Sequence, residues 1–251
     1  MLLLAIDTST PTVTAGVVTL LRPHELEAHR NSGSEVRPVE LLAEQRVTNP
    51  FAHAEQLMPL ISAALVESGH RLGQLDAVVV GLGPGPFTGL RVGVATAAAL
   101  GDALGIPAHG VGSHDAAARA DLHARADVQN RTSERPFLVV TDARRREVYL
   151  SAYSAQGRRL FGPAPVAPAA VAESLAAADV VPARMIGAGT PLLDGLPDVE
   201  DAEAAGSLSV GLVLAAALDL LTGAIPGPLT PLYLRRPDAT VPGPRKSVLG
   251  A

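Results

Sequence analysis

Residues 78–105 read VVVGLGPGPFTGLRVGVATAAALGDALG. The apolar run Ala77–Val80 has the continuous hydrophobicity of a strand covered on both faces. It enters a turn built from Gly81, Gly83, Pro84, Gly85 and Pro86. The turn feeds a helix whose only water-seeking side chains between Thr88 and Leu104 are Thr88, Arg91, Thr96 and Asp102. A helix apolar all round is buried on every side or crosses a membrane, and this one is too short and too Gly-rich for a span. Gly89, Gly93, Ala97 and Gly101 recur at every fourth position and make a stripe of nearly bare backbone. Each Gly costs a helix about 1 kcal/mol relative to Ala, so a closely packed neighbour is expected to offset the cost. One face is expected to lie on the chain's own sheet and the other on a helix of another protein. The small-residue face and the opposite face around Val92, Thr96 and Ala99 are both open for the second role.

Composition narrows the rest. The chain has 251 residues, 47% of them hydrophobic but only 3% aromatic, so its core is made of small side chains on closely approaching elements. Net charge is −5 and Lys246 is the only lysine, which argues against independent nucleic-acid binding through a concentrated basic surface. The absence of Cys removes disulfides, thiol catalysis and thiolate metal sites, and suits a reducing cytoplasm. The N-terminus lacks a basic start and a long apolar stretch, and no run approaches a membrane span, so a soluble, cytoplasmic protein is expected.

Outward from the central stretch, Leu2–Ile6 reads as a buried strand ending at Asp7-Thr8-Ser9-Thr10, and Thr12–Leu20 as a strand pairing back on it. Leu21–Pro38 is polar and is read as a surface insertion with a loop at Asn31–Ser34. Glu40–Val47 completes a meander. Asn49 and Pro50 suit the N-cap and first position of a helix that Gly69 stops. In that helix Leu57, Leu60, Ile61 and Ala64 lie on one side, with Met58 and Leu65 nearer the other, and Pro59 inside. Ile106–Gly112 reads as a strand, with Ser113 capping a helix to about Ala126. Phe137–Thr141 and Glu147–Tyr153 form a hairpin around Asp142–Arg145. One helix follows from about Pro168, then a strand Val180–Gly189 and an apolar helix Ser207–Leu221. The tail from Pro226 is expected to be extended, with PLYLR against a lobe.

LLLAIDTSTPTVTAGVV and PFLVVTDARRREVYLSAY each read as strand, Asp turn, returning strand. A duplicated meander with crossover helices gives an α/β protein of two related lobes facing a cleft. The expected division is 1–106, then a reduced lobe 107–206, a helix 207–222 that packs back on the first lobe, and a tail 223–251.

Little in the chain looks catalytic. A P-loop needs Lys and Ser or Thr after its closing Gly, but Leu90-Arg91 follow Gly89. Pro86 stands where a dinucleotide loop needs its third Gly. Asp7, Thr8, Ser9 and Thr10 could hold Mg²⁺-phosphate at a strand end, or could simply cap their turn. The turn Asp142-Ala143-Arg144-Arg145 has no Gly and carries bulky cations. No two of the seven His stand at i and i+4 in a metalloprotease pattern, His53 and Glu55 read as polar groups on a first helical turn, and no metal site is expected. The two apolar helices together suggest a four-helix contact with a partner, of the size class of about 1,200–2,000 Å².

The blocks LLLAIDTST, HAEQLMPLI, GLGPGPFTGLRVGVATAAALGDALGIPAHGV, VVTDARRREVYLSAY and PLYLR closely resemble the bacterial TsaB (YeaZ) family, in order and across nearly the whole chain. The resemblance implies an ASKHA fold, the actin, Hsp70 and sugar-kinase architecture, with two ribonuclease-H-like lobes. It implies a non-catalytic partner of TsaD in making N6-threonylcarbamoyladenosine (t6A) on tRNAs reading ANN codons. TsaD would be bound as a heterodimer, with TsaE joining, a homodimer forming when alone, and tRNA contacted only indirectly. No tightly bound cofactor is implied, with ATP or ADP entering at the level of the complex. The interface implied is on the two helices, at Leu57, Leu60, Ile61, Ala64, Gly89, Val92, Gly93, Thr96 and Ala97. Asp7, Thr8, Ser9 and Thr10 would line a vestigial nucleotide cleft. The family's HxxxH metal pair falls on Ser113 and Ala117, with His114 displaced by one. Two alternatives stay open: an autonomous ASKHA ATPase or phosphotransferase using Asp7, and a metallopeptidase.

Overall fold

The computed structural model describes residues 1–32, 36–49, 53–126, 135–193, 196 and 198–235. The first half supplies β1 (Leu2–Asp7), β2 (Thr12–Leu20), α1 (Pro23–Asn31), β3 (Val39–Thr48), α2 (His53–Glu67), β4 (Ala77–Gly81), α3 (Phe87–Leu104) and β5 (Ala108–Val111). Its sheet has the order β3-β2-β1-β4-β5, with β1, β2 and β3 antiparallel and β4 and β5 parallel to β1. Parallel neighbours need a crossover, and α2 and α3 are those crossovers.

The second half supplies α4 (Ser113–Ala126), β6 (Phe137–Asp142), β7 (Val148–Tyr153), β8 (Arg159–Val166), α5 (Val171–Ala177), β9 (Arg184–Ile186), β10 (Glu200–Asp201) and α6 (Leu208–Thr222). Its sheet order, β8-β7-β6-β9-β10, repeats the first with the same strand senses. Two mixed sheets of one topology, flanked by helices, make this an ASKHA-like α/β fold.

The unbroken apolar runs of β1 and β4 follow from coverage on both faces. Leu4, Ile6, Val78 and Val80 point to one side, where they pack with Leu57 and Ile61 of α2 and Ala97 of α3. Leu3, Ala5 and Val79 point to the other, against Leu212, Val213 and Ala216 of α6. The last helix thus lies on the first sheet, and it also packs along α4 of the second half.

Several expectations need correction. β5 hydrogen-bonds to β4, so a division after residue 106 cuts off the edge of the first sheet. The polar insertion contains a helix, α1, with none of its residues buried; Pro23 at its start and Glu25 bonded back to the Arg22 N–H are helix-start signals in a segment without an apolar stripe. The strand expected over Val180–Gly189 shrinks to β9. β8 and β10 are not expected at all: Pro163 and Pro165 argue against a strand, yet β8 pairs only with β7, and an edge strand tolerates Pro. The expected helix start at Asn49-Pro50 meets residues 50–52, which lie outside the described set, as do residues 236–251.

Candidate functional site

Asp7 ends β1 and is fully buried. Ser9 donates to its Oδ1 through both the backbone N–H (2.7 Å) and Oγ (2.6 Å). Ser113 Oγ donates to Oδ2 at 2.6 Å and accepts the Gly83 N–H at 3.1 Å. A Cβ on Gly81 would overlap Oδ2, so that glycine is the space the carboxylate occupies. Burial pushes the Asp7 pKa up, against the lowering effect of its hydroxyl and amide donors.

The next residues are committed in the same way. Thr8 Oγ1 donates to the Gly89 carbonyl at 2.7 Å. Thr10 Oγ1 closes a small turn on Thr12, and the Thr10 carbonyl accepts from His53 Nε2 at 2.8 Å. The loop of Asp7, Thr8, Ser9 and Thr10 therefore ties β1 to α2, α3 and α4. His53, expected as a polar group on a first helical turn, opens α2, is 8% exposed and is one of these ties. Ser113 does not cap a helix: it is the first residue of α4, and its hydroxyl serves Asp7.

Across the cleft, the β6–β7 turn places Arg144, Arg145 and Arg146 at φ of 62°, 53° and 62°. Three consecutive non-glycine residues in the left-handed region form a single left-handed turn, at about 1–2 kcal/mol each. The Asp142 carboxylate holds it by accepting the Arg144 N–H at 2.7 Å. A pocket of about 190 Å³ lies between this turn and the start of α3, lined by Arg144, Pro11, His53, Pro86, Thr88 and Gly89. Magnesium–phosphate needs a carboxylate and hydroxyls turned toward the cleft and a turn with backbone donors close to the phosphate. Here the carboxylate faces Ser9 and Ser113, and bulky cations fill the turn. The residues do not fit that group.

His114 is an interior bridge: Nδ1 meets Ser151 Oγ at 2.8 Å and Nε2 meets Thr141 Oγ1 at 2.9 Å. Burial pushes its pKa down to about 3. Ala117 has no ligand atom, and among the described residues no three His, Asp or Glu cluster as a metal site.

The helix faces come out differently from the expectation. Leu57, Ile61 and Ala64 are 1%, 0% and 0% exposed, and Leu60 is 9%. All four belong to the core under α2, so an interface through them is corrected: reaching them would mean opening the first lobe. Gly89, Gly93, Ala97 and Gly101 are the inner edge of α3. A Cβ on Gly89 would sit 2.5 Å from the Thr8 carbonyl oxygen, one on Gly93 would overlap Thr8 Oγ1, and one on Gly101 would sit 3.1 Å from the Ile106 carbonyl oxygen. The neighbour that offsets the glycine cost is the chain's own β1 end and β5, and Gly89, Gly93 and Ala97 are likewise corrected. Val92 packs partly into the core on the side of α2, and Thr96 is half-buried.

What faces outward is a surface the sequence reading placed only partly. On α2 it includes Ala54, Met58, Ser62, Ala63 and Val66, with Met58 41% and Val66 80% exposed, beside the exposed Glu55, Pro59 and Glu67. On α3 it includes Arg91, Ala95, Ala99 and Ala103, beside the exposed Thr88 and Asp102. α3 is thus not covered all round in the free chain. At its N-terminal end Phe87 stacks on Tyr233 of the tail at 4.2 Å between ring centres, and Arg91 lies 4.0 Å over Phe87 and donates to the Tyr233 hydroxyl at 3.1 Å, a cluster the sequence reading did not bring together. Only the PLYLR block, expected against a lobe, hinted at the part of Tyr233.

Comparison with known proteins agrees with this geometry. The model of the TsaD family, tRNA N6-adenosine threonylcarbamoyltransferase, matches residues 49–190, more than half of the chain. A TsaB protein of Haemophilus influenzae, named for tRNA threonylcarbamoyladenosine biosynthesis, is 36% identical over 101 residues, 39% of each chain. The chain belongs to the TsaD family, on its TsaB (YeaZ) branch. An uncharacterized protein of Mycobacterium tuberculosis is 45% identical over 240 residues, covering 94% of this chain and 92% of that one. The YeaZ structure from Pseudomonas aeruginosa has the same fold, with a TM-score of 0.64 at 24% identity, over 92% of this chain and 100% of that one. The TsaD-family match begins in the segment before α2 and runs through α3, so it contains both helices that present the outward surface. No helix among the described residues is long and apolar enough to cross a membrane.

Proposed function

We propose that the chain is a non-catalytic subunit of t6A formation that docks on a TsaD-type transferase through the outward faces of α2 and α3. The observation that carries this is the division of labour along the two helices. Their inner faces are committed to the first lobe's core, and their outer faces present Met58, Val66, Ala95 and Ala99 to solvent. The occupant follows from the family match. This chain's α2 and α3 lie inside a segment built like TsaD, so a TsaD partner carries the equivalent pair. Two related pairs then meet about a pseudo-twofold axis, the arrangement homologous subunits adopt most readily. The non-catalytic part of the reading is supported by Asp7, Ser9 and Ser113 being bonded to one another. ATP or ADP enters this reading only through the assembled complex, TsaE is a further partner of it, and tRNA is held by the other subunits.

The test is co-purification with the TsaD-type transferase of the same cell, and t6A content of tRNA in cells carrying variants. Ala95→Asp and Met58→Asp, both on exposed positions, are expected to abolish pairing and t6A while leaving the melting temperature nearly unchanged. Pairing that survives both substitutions refutes the face. ATP turnover by the isolated chain that is lost in Asp7→Ala refutes the non-catalytic assignment.

A further inference from the structure

Arg91 stands on the line of α3 that carries Ala95 and Ala99, at the end nearest the cleft. Helical side chains lean toward the N-terminus, which brings its guanidinium back over Phe87, four residues earlier, at 4.0 Å. From the other side comes the C-terminal tail. Leu229 packs into the core under α2, the Leu232 N–H donates to the Leu82 carbonyl at 2.8 Å, and Tyr233 stacks on Phe87. Arg235 then pairs with Glu147 on the second lobe's β6–β7 turn. The tail is a strap anchored at both ends, and its midpoint supplies the hydroxyl that accepts from Arg91 Nε at 3.1 Å.

This leaves Arg91 in an uncommon state for an exposed arginine. Its stem and Nε are fixed by a ring face and a hydroxyl, while among the described residues no carboxylate pairs with its terminal nitrogens. A free surface arginine loses much rotamer freedom when a partner fixes it; here the strap has already removed most of that freedom. The fork left open is shaped for two parallel hydrogen bonds to a carboxylate. Glu55, Glu67 and Asp102 are the other exposed charges of these two helices and all are acidic, so on this face Arg91 is the group that can take a partner's carboxylate and so decide which partner and which register are accepted.

We propose that Arg91, held by Phe87 and the strap residue Tyr233, is the specificity-determining residue of the docking face and takes a carboxylate of the partner protein. The proposal rests on the docking reading above, and names the chemistry the partner must present. Tyr233 is a positioning residue in it.

The experiment uses the full chain and the TsaD-type transferase of the same cell, with affinity measured at two salt concentrations and the melting temperature of each variant recorded. Arg91→Ala is expected to weaken binding about 30-fold, the loss of a hot-spot arginine, and to flatten the salt dependence. Arg91→Lys keeps the charge without the fork and loses about 10-fold. Tyr233→Phe keeps the stack, removes the acceptor and loses about 3-fold at unchanged melting temperature. Arg30→Ala, on exposed α1, leaves affinity unchanged. If Ala95→Asp abolishes binding while Arg91→Ala stays within about twofold of the parent, the proposal falls and the docking face stands. If Arg91→Ala spares the transferase but weakens tRNA retention by the complex, Arg91 meets phosphate and the proposal is overturned. If the parent chain does not bind the transferase, both readings fall.

Discussion

Gly89→Ala separates the two assignments of the small-residue stripe. On helix propensity alone, replacing Gly89, in the first turn of α3, by Ala stabilises by up to about 1 kcal/mol. The structure opposes this. The new Cβ would lie 2.5 Å from the Thr8 carbonyl oxygen, a backbone atom fixed at the end of β1. Ordinary contact begins near 3.4 Å, so α3 must withdraw by several tenths of an ångström or more. Such overpacking costs about 1–3 kcal/mol. Withdrawal also stretches the 2.7 Å bond from Thr8 Oγ1 to the Gly89 carbonyl, a further ~1 kcal/mol. The net is destabilisation of about 1–3 kcal/mol, or a melting temperature lower by roughly 3–10 °C for a chain of this size. Gly93→Ala meets the same threonine through its side chain, so Thr8→Ala should relieve part of its cost, and the double mutant should be less destabilised than the sum by about 1 kcal/mol. The assay is chemical and thermal denaturation of the isolated chain. A Gly89→Ala chain as stable as the parent, or more so, would show the stripe free of β1 and would return it to the partner interface.

His114 is held neutral by burial, its pKa pushed down to about 3 from 6.5. Its contribution to stability is complete above pH 6.5 and declines as pH falls toward 3, by up to about 1.4 kcal/mol per unit; imidazole NMR shifts should show it unprotonated at pH 5, and a charged form there would contradict the bridge to Ser151 and Thr141. Asp7 runs the other way. With its folded pKa raised, the parent is favoured by protonation and loses stability as pH climbs above the carboxylate range, so urea titrations from pH 4 to 7 should show a decline that Asp7→Asn lacks. Arg146→Gly at φ of 62° should stabilise by about 1 kcal/mol, since Gly bears no left-handed penalty; a loss instead would mean that its side chain holds the turn.

The duplicated meander, the crossover helices and the buried runs of β1 and β4 were legible because each rests on local hydrophobic period and turn chemistry. β8 was not, since Pro163 and Pro165 are read as breakers until a neighbour shows that they lie at an edge. The faces of α3 were not legible for a different reason. Small residues at every fourth position say that something approaches closely, and a single sequence does not say whether that is β1 or another molecule. Leu57, Leu60, Ile61 and Ala64 mark the core-facing side of an amphipathic helix, and the informative residues were the exposed apolar ones opposite, Met58 and Val66.

Under the non-catalytic reading proposed above, Asp7 serves as a fastening. A carboxylate at the end of β1, facing a cleft between two related lobes, has the right position to hold a metal–phosphate group. Ser113, standing where the resemblance places a metal-binding His, is short enough to reach back and bond it at 2.6 Å, and Gly81 leaves the room for the carboxylate to turn inward. The same hydroxyl also accepts the Gly83 N–H, so one short side chain serves both groups. That hydroxyl thus ties α4 to the end of β1 and to the Gly-Pro corner, the two elements on which the start of α3 rests. Cutting it with Ser113→Ala should leave Asp7 short of one donor and loosen the corner, at about 1–3 kcal/mol. If α3 presents the docking face, that variant weakens partner binding without touching the face, and amide exchange across residues 83–95 should rise in step. Weakened binding with unchanged exchange would separate the two and break the link between the Asp7 fastening and the proposed docking face.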